Sequence, residues 1–371
     1  MLQLTSTITE NATIEIGLRD IEVPKPGADE VLIEVQASPI NPSDLGTLVG
    51  AGDLTSIRVE GEGDQAKVIM DIPESVMWAM KPRIGKPLPV GNEGSGIVTD
   101  AGENAKHLIG KVVSAVGGGM YAQYRVLPAM ACIEMPDGIE PKDCASSFVN
   151  PLTALGMVET MKSEGHSALI HTAAASNLGQ MLVKICLADN IPLINIVRKP
   201  EQVDLLKSLG AEHVCNTSDD NFKDSLVEAI KATNATLAFD ATGGGELSGR
   251  ILSCMEIAMR ANMKEFSPYG STQHKQVYIY GALNQSGISL PNNRSFGMYW
   301  GIGGWLLTPF LENAGMQKNI ELRQRVSSEI KTTFVSSYTK EISLAQALSL
   351  DEMMVYGSIA TGKKYLINPS L

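Results

Sequence analysis

Ser167–Arg198 reads SALIHTAAASNLGQMLVKICLADNIPLINIVR: a short apolar run, a turn of small residues, an amphipathic stretch and a second apolar run ending at a cation. Ala168, Leu169 and Ile170 read as a buried strand. Leu182, Val183, Ile185 and Cys186 recur with helical spacing, and Leu193 to Val197 is a second buried strand. This is one nucleotide-binding βαβ unit. In such a unit the pyrophosphate of a dinucleotide rests over the helix N-terminus, where backbone N–H groups and the helix dipole favour an anion. An acidic residue closing the second strand would bind a ribose 2′-hydroxyl, whereas Arg198 and Lys199 suit a 2′-phosphate and point to NADPH. As residues alone the two cations also read as a solvated surface pair. The turn is a degraded glycine fingerprint: Ala173, Ala174, Ala175, Ser176 and Asn177 replace its first glycines and only Gly179 remains. Gly179 allows close helix–strand packing, and Asn177 tolerates positive φ better than other non-glycine residues.

Outward from this unit, the 371 residues suffice for two domains, and a chain 44% hydrophobic and 19% charged is ordinary for a globular protein. A net charge of −11 argues against a nucleic-acid or anionic-membrane surface. The N-terminus lacks a basic segment followed by an apolar core, and no apolar run is long enough to span a bilayer, which gives a cytoplasmic expectation. Cys132, Cys144, Cys186, Cys215 and Cys254 are scattered with no C-x-x-C pair and read as small hydrophobes; no metal site is expected.

Up to about residue 137 short β-branched or alternating runs such as VLIEVQASPI, KVVSAVGGG and MYAQYRVLPA are separated by turn residues, the pattern of an irregular β-barrel. From Pro141 helices alternate with the strands ALIHT, PLINIVR, EHVCN, TLAFDAT and QVYIYGAL, the pattern of a doubly wound parallel sheet. The tail beyond residue 316, ending KKYLINP, is expected to return to the first domain. Gly50 to Pro89 is long for a connection and is expected to carry structure or function of its own.

INPSD (Ile40–Asp44), VGNEGSG (Val90–Gly96), MYAQYRV (Met120–Val126), VNPLTA (Val149–Ala154), NIVRKPEQVDLLKSLGAEHV (Asn195–Val214) and FDATGG (Phe239–Gly244) follow one another in an order that resembles the medium-chain dehydrogenase/reductase superfamily. The resemblance is to its zinc-free quinone oxidoreductase and enoyl thioester reductase branch. It implies an α/β protein with a GroES-like β-barrel catalytic domain, residues 1–148 and 316–371, and a doubly wound Rossmann domain, residues 149–315, with the active site in the cleft between them. It also implies a homodimer, and the strand around Val277–Tyr280 with the following ISLPNN is read as the edge and seam. Zinc members have Cys where this chain has Asn41 and His where it has Asn92; neither amide is a normal zinc ligand.

Residue by residue, the resemblance places Asn41 by the nicotinamide, Thr153 near its ribose and carboxamide, and Ser176, Asn177 and Leu178 on the pyrophosphate. It places Arg198, assisted by Lys199, on the 2′-phosphate, and Ala241, Thr242, Gly281, Ala282 and Leu283 along the cofactor groove. Enoyl reductases of this branch carry a catalytic Tyr shortly after NPSD, where this chain has Gly50, Ala51, Gly52 and Asp53.

Hydride transfer asks the protein to hold the nicotinamide against an electrophilic carbon and to exclude water. Reducing a quinone or an enone also builds negative charge on oxygen, which a hydrogen-bond donor should stabilise; Asn41, Ser43 and Asn92 are the catalytic candidates by position. Asn92 and Asp44 equally read as braces of the glycine-rich turn. Tyr299, Trp300 and Trp305 read either as an aromatic substrate pocket or as packing, and His171 as a general base or a buried structural imidazole. The leading expectation is an NADPH-dependent, zinc-independent oxidoreductase acting on a small-molecule quinone or α,β-unsaturated carbonyl. The alternatives are an enoyl thioester reductase and a non-catalytic NADPH-binding protein of sensor or crystallin-like type.

Overall fold

The computed structural model describes residues 1–358 and 362–371. The chain divides into two compact units, Met1–Val149 with Arg323–Leu371, and Asn150–Leu322.

The first unit is β-rich. Leu2–Ile8 and Thr13–Asp20 pair antiparallel so that Ile8 meets Ile14 and Leu4 meets Leu18. Successive strand residues face opposite ways, so Leu4, Ile8, Ile14 and Ile16 share the inner face with Val68 and Met70 of Lys67–Asp71. Burying each such side chain stabilises the unit by about 1.5–3 kcal/mol. The Gly50 to Pro89 stretch does carry structure: Arg58–Glu60 and Lys67–Asp71 extend this sheet, and Met77 and Met80 from the helix Glu74–Met80 pack on its core. In the second sheet Glu30–Pro39 lies between Glu93–Ala101 and the C-terminal strand Tyr365–Ile367. The helix Pro42–Leu48 starts immediately after Glu30–Pro39, with Asn41 as its N-cap and Pro42 at its first position, where proline's missing N–H costs no hydrogen bond.

The second unit is a six-stranded parallel sheet in the order His213–Asn216, Leu193–Val197, Leu169–His171, Leu237–Asp240, Lys275–Ile279, Trp300–Gly304. Numbered along the chain this is 3-2-1-4-5-6, the doubly wound order, and its direction reverses between Leu169–His171 and Leu237–Asp240. Ligands of such sheets bind beyond the carboxyl ends of the strands at that reversal. The expected edge is corrected here. Val277 to Tyr280 runs beside Leu237–Asp240 on one side and Trp300–Gly304 on the other, so Trp300–Gly304 is the edge. The ISLPNN stretch is largely exposed, held by a bridge between Ile288 and Gly245 and by Leu290, which packs against the hydrophobic core of this unit.

Candidate active site

In the second unit the central strand Leu169–His171 runs through a turn into the helix Asn177–Ala188. Ser176 caps that helix by accepting from Gly179 N–H at 3.2 Å. The residue with positive φ is Ala173, at 49°, and not Asn177, which is already helical. Closure decides this, because Ala174 N–H donates to Ile196 C=O of the neighbouring strand and so pulls the turn tight. A Cβ on Gly179 would lie 2.1 Å from Ala174 O, which explains why glycine survives at that one place. Leu178 is buried in the first helical turn.

Arg198 follows Leu193–Val197. Its N–H donates to Gln202 Oε1 and its C=O accepts from Ser218 Oγ, so its backbone is held while its exposed guanidinium has no side-chain partner among the described residues. Lys199 lies 3.7 Å from Glu201 on the surface.

Asp240, fully buried at the end of its strand, knits the remaining groove residues together. Its carboxylate accepts from Thr172 Oγ1, from Thr242 N–H and Oγ1, and from Ser248 Oγ, while Thr172 Oγ1 accepts from Ala241 N–H. Leu283 N–H then donates to Ala241 C=O and Asn284 N–H to Thr242 C=O. The structure therefore brings Ala241, Thr242, Gly281, Ala282 and Leu283 side by side. A cavity of about 500 Å³ lies on the Gly281 and Ala282 side of this group, its wall including Tyr280, Trp305 and Leu306. Tyr299 and Trp300 are at the other end of Trp300–Gly304: Tyr299 lies against His274, and Trp300 packs edge-on to Phe296. Of the aromatic stretch it is Trp305 that reaches the cavity. Thr153 is buried on the helix Val149–Ser163.

His171 is fully buried, with Nε2 2.6 Å from Tyr280 Oη. Burial pushes its pKa down to about 4, so the imidazole is neutral at pH 7, and pushes the Tyr280 hydroxyl well above its ordinary value.

In the first unit Asn41, Ser43, Asp44, Asn92 and Glu93 meet. Asp44 accepts from Asn41 N–H at 2.8 Å and from Asn92 N–H at 2.7 Å; Asn92 Nδ2 donates to Ser43 Oγ at 2.9 Å. Glu93 is completely buried and accepts from Asn41 Nδ2, Phe148 N–H and Val149 N–H. Burial raises Asp44 to about 6 against the pull of its two backbone donors, and raises Glu93 against the nearby charge of Lys364. Lys364 donates to Ser146 Oγ and is lowered by burial to about 8, opposed by Glu93 and Asp44. Asn41 Oδ1 is buried and without a partner among the described residues. A group that meets Asn41 there meets an acceptor.

Glu93, Lys364, Asp240 and Tyr280 were not among the sequence candidates. Glu93 stands inside VGNEGSG, an acid amid small residues with no polar alternation to expose it, and that was the available signal.

One unit thus carries a doubly wound parallel sheet with a tight strand-to-helix turn, and the other is β-rich with a buried polar cluster around Asn41 and Glu93. Residues 27–137 match the alcohol dehydrogenase GroES-like domain and residues 178–267 the zinc-binding dehydrogenase family. The mitochondrial enoyl-[acyl-carrier-protein] reductase of Xenopus tropicalis is 24% identical over 285 residues, covering 74% of this chain and 68% of that protein. A Mesorhizobium loti protein assigned as an NADPH:quinone reductase superposes with a TM-score of 0.72 at 26% identity, covering 100% of this chain and 98% of that one. Escherichia coli quinone oxidoreductase complexed with NADPH superposes with a TM-score of 0.71 at 17% identity, covering 100% of both chains. The chain belongs to the medium-chain dehydrogenase/reductase superfamily, in its quinone oxidoreductase-like branch.

Proposed function

We propose that this protein is an NADPH-dependent, zinc-independent oxidoreductase that delivers hydride to a quinone or an α,β-unsaturated carbonyl. The observation that carries the cofactor is Arg198: a guanidinium without a side-chain partner among the described residues, on a backbone pinned from both sides, closing the strand beside the strand-to-helix turn. The turn fits a pyrophosphate, since its one indispensable glycine and the Ser176 cap keep the helix N-terminus close to the strand ends. Bound NADPH would supply the hydride; Ala241, Thr242, Gly281 and Ala282 would shape its groove, with Thr153 toward the nicotinamide. Zinc does not fit. The two positions that hold zinc ligands in other members carry amides whose nitrogens already donate to Glu93 and Ser43.

Arg198→Ala tests the reading. A charge-assisted contact to phosphate contributes about 1.5–3 kcal/mol, so the NADPH Kd should rise about 10- to 150-fold while that for NADH changes little. Equal effects on both cofactors, or none, would remove the assignment. Enoyl thioester reduction is the second reading, favoured by the frog relative. Steady-state NADPH oxidation with quinones, enones and enoyl thioesters separates the two, and tight binding without turnover would favour the non-catalytic alternative.

We also propose a homodimer. Its seam would be Trp300–Gly304, an edge strand with no strand on its outer side among the described residues, three glycines, and exposed Met298, Tyr299 and Leu306 nearby.

A further inference from the structure

The strands Leu193–Val197 and His213–Asn216 pair in parallel as far as Val197 and Asn216, and Thr217 N–H closes the ladder by donating to Val197 C=O at 2.8 Å. One residue further the backbone ladder is over. The Arg198 C=O is taken there by a side chain, Ser218 Oγ at 2.8 Å. On its other side Arg198 N–H donates to Gln202 Oε1 of the helix Pro200–Ser208 at 3.2 Å. Arg198 is thus held at both of its backbone polar groups, between a strand end and a helix start.

Ser218 is exposed, and its own place is fixed from below by Asn216, which is 4% exposed. Asn216 Oδ1 accepts from Ser218 N–H at 3.1 Å, and Asn216 Nδ2 donates to Asp219 Oδ1 at 2.8 Å. Asp219 N–H returns to Asn216 C=O at 3.1 Å. A side chain that bonds the backbone two residues on closes an Asx-turn and rigidifies a loop that its exposed sequence would leave free. The same amide engages the Asp219 carboxylate, the acid that follows Ser218. An arginine that grips a phosphate loses backbone and rotamer freedom, and a backbone fixed beforehand lowers that cost. Bidentate contact also needs the planar guanidinium at one angle, which favours a fixed Cα.

We infer that Asn216 and Ser218 set the preference for NADPH over NADH, as positioning residues that fix the base of Arg198 for the 2′-phosphate. The inference rests on the NADPH reading above. The Ser218 hydroxyl hydrogen is committed to the Arg198 C=O, so Ser218 acts through Arg198 and not on the phosphate itself.

The test is fluorescence titration of the full chain with NADPH and with NADH. Ser218→Ala should raise the NADPH Kd about 3- to 10-fold, the equivalent of one lost hydrogen bond, and leave the NADH Kd within about twofold. Ser218→Thr, which keeps the hydroxyl, should stay close to wild type for both cofactors. Asn216→Ala should lose at least as much NADPH affinity as Ser218→Ala. In an Arg198→Ala background Ser218→Ala should change the NADPH Kd by less than about twofold, because the group it positions is gone. An unchanged NADPH Kd in Ser218→Ala overturns the inference, as does equal weakening of both cofactors or a loss that Ser218→Thr shares. A Ser218→Ala loss that persists undiminished in the Arg198→Ala background also overturns it. If Asn216→Ala does not fold, the Ser218 variants decide. Arg198→Ala without effect on NADPH removes the cofactor reading and the inference together, whereas a selective loss in Arg198→Ala beside an unchanged Ser218→Ala sinks the inference alone.

Discussion

Replacing Glu93 by alanine should be among the most damaging single changes in the first unit. The carboxylate is 0% exposed and takes hydrogen bonds from Asn41 Nδ2 at 2.9 Å, Phe148 N–H at 2.8 Å and Val149 N–H at 2.9 Å. Alanine leaves three buried donors without an acceptor, at about 1–3 kcal/mol each, so the expected loss is about 3–9 kcal/mol. The lower end applies if water enters the vacated space. Glu93→Gln provides the contrast. Its oxygen can stay with the two backbone N–H groups and its nitrogen can face Asn41, which need only turn its amide so that the orphaned Oδ1 accepts. That exchange should cost no more than about 2 kcal/mol. Because burial raises Glu93, the wild-type protein binds that proton more tightly folded than unfolded. Stability from this group is therefore present at low pH and is lost as pH rises through the raised value, a slope Glu93→Gln lacks. Urea unfolding followed by near-ultraviolet circular dichroism, with a separate transition fitted for each unit, measures all three proteins. A loss below about 1 kcal/mol for Glu93→Ala, or equal losses for Ala and Gln, would refute the claim that this carboxylate organises the cluster.

Two further outcomes can be checked. The His171 pKa is near 4 in the folded protein against 6.5 for the unperturbed group, so the stability it contributes is present above pH 6.5 and is lost as pH falls through 4, by about 3 kcal/mol in all. His171→Gln should flatten that part of the pH–stability curve, and an unchanged acid limb would show that the imidazole is not held neutral. Gly179→Ala should lower stability by about 1–3 kcal/mol and weaken NADPH binding, since its Cβ would fall 2.1 Å from Ala174 O; a melting scan and a fluorescence titration decide.

The parallel sheet was readable because each of its inner strands is an apolar run followed by a helical period, a pattern set locally. Arg198 was readable for the same reason, lying directly after such a run. What escaped depends on distant contacts. Ala173 has no intrinsic preference for positive φ, and the hydrogen bond from Ala174 to Ile196 imposes the turn. Trp300–Gly304 contains three glycines and shows no strand alternation, so it becomes a strand by pairing with Lys275–Ile279, and Val277–Tyr280 passed for an edge without it. Glu93 draws its partners from residues 41, 148, 149 and 364, and no window of sequence shows that they meet. Tyr280 lacks a sequence signal toward His171, because the strand Leu237–Asp240 lies between theirs in the sheet.

The two units differ in what they offer a ligand, and the difference bears on where charge can develop. In the first unit the amide nitrogens proposed from sequence as oxyanion donors are turned elsewhere, Asn41 toward Glu93 and Asn92 toward Ser43. Beside them stand two buried acids, and negative charge growing near a carboxylate is opposed at low dielectric far more strongly than in water. What Asn41 has to give is Oδ1, an acceptor, which suits a hydroxyl or an N–H and does nothing for an oxyanion. The cavity of the second unit has a different character, walled largely by glycine, alanine, aliphatic and aromatic carbon. At the glycine turn of the first unit Ser43 Oγ accepts from Asn92 Nδ2, which leaves the hydroxyl's own hydrogen for a ligand.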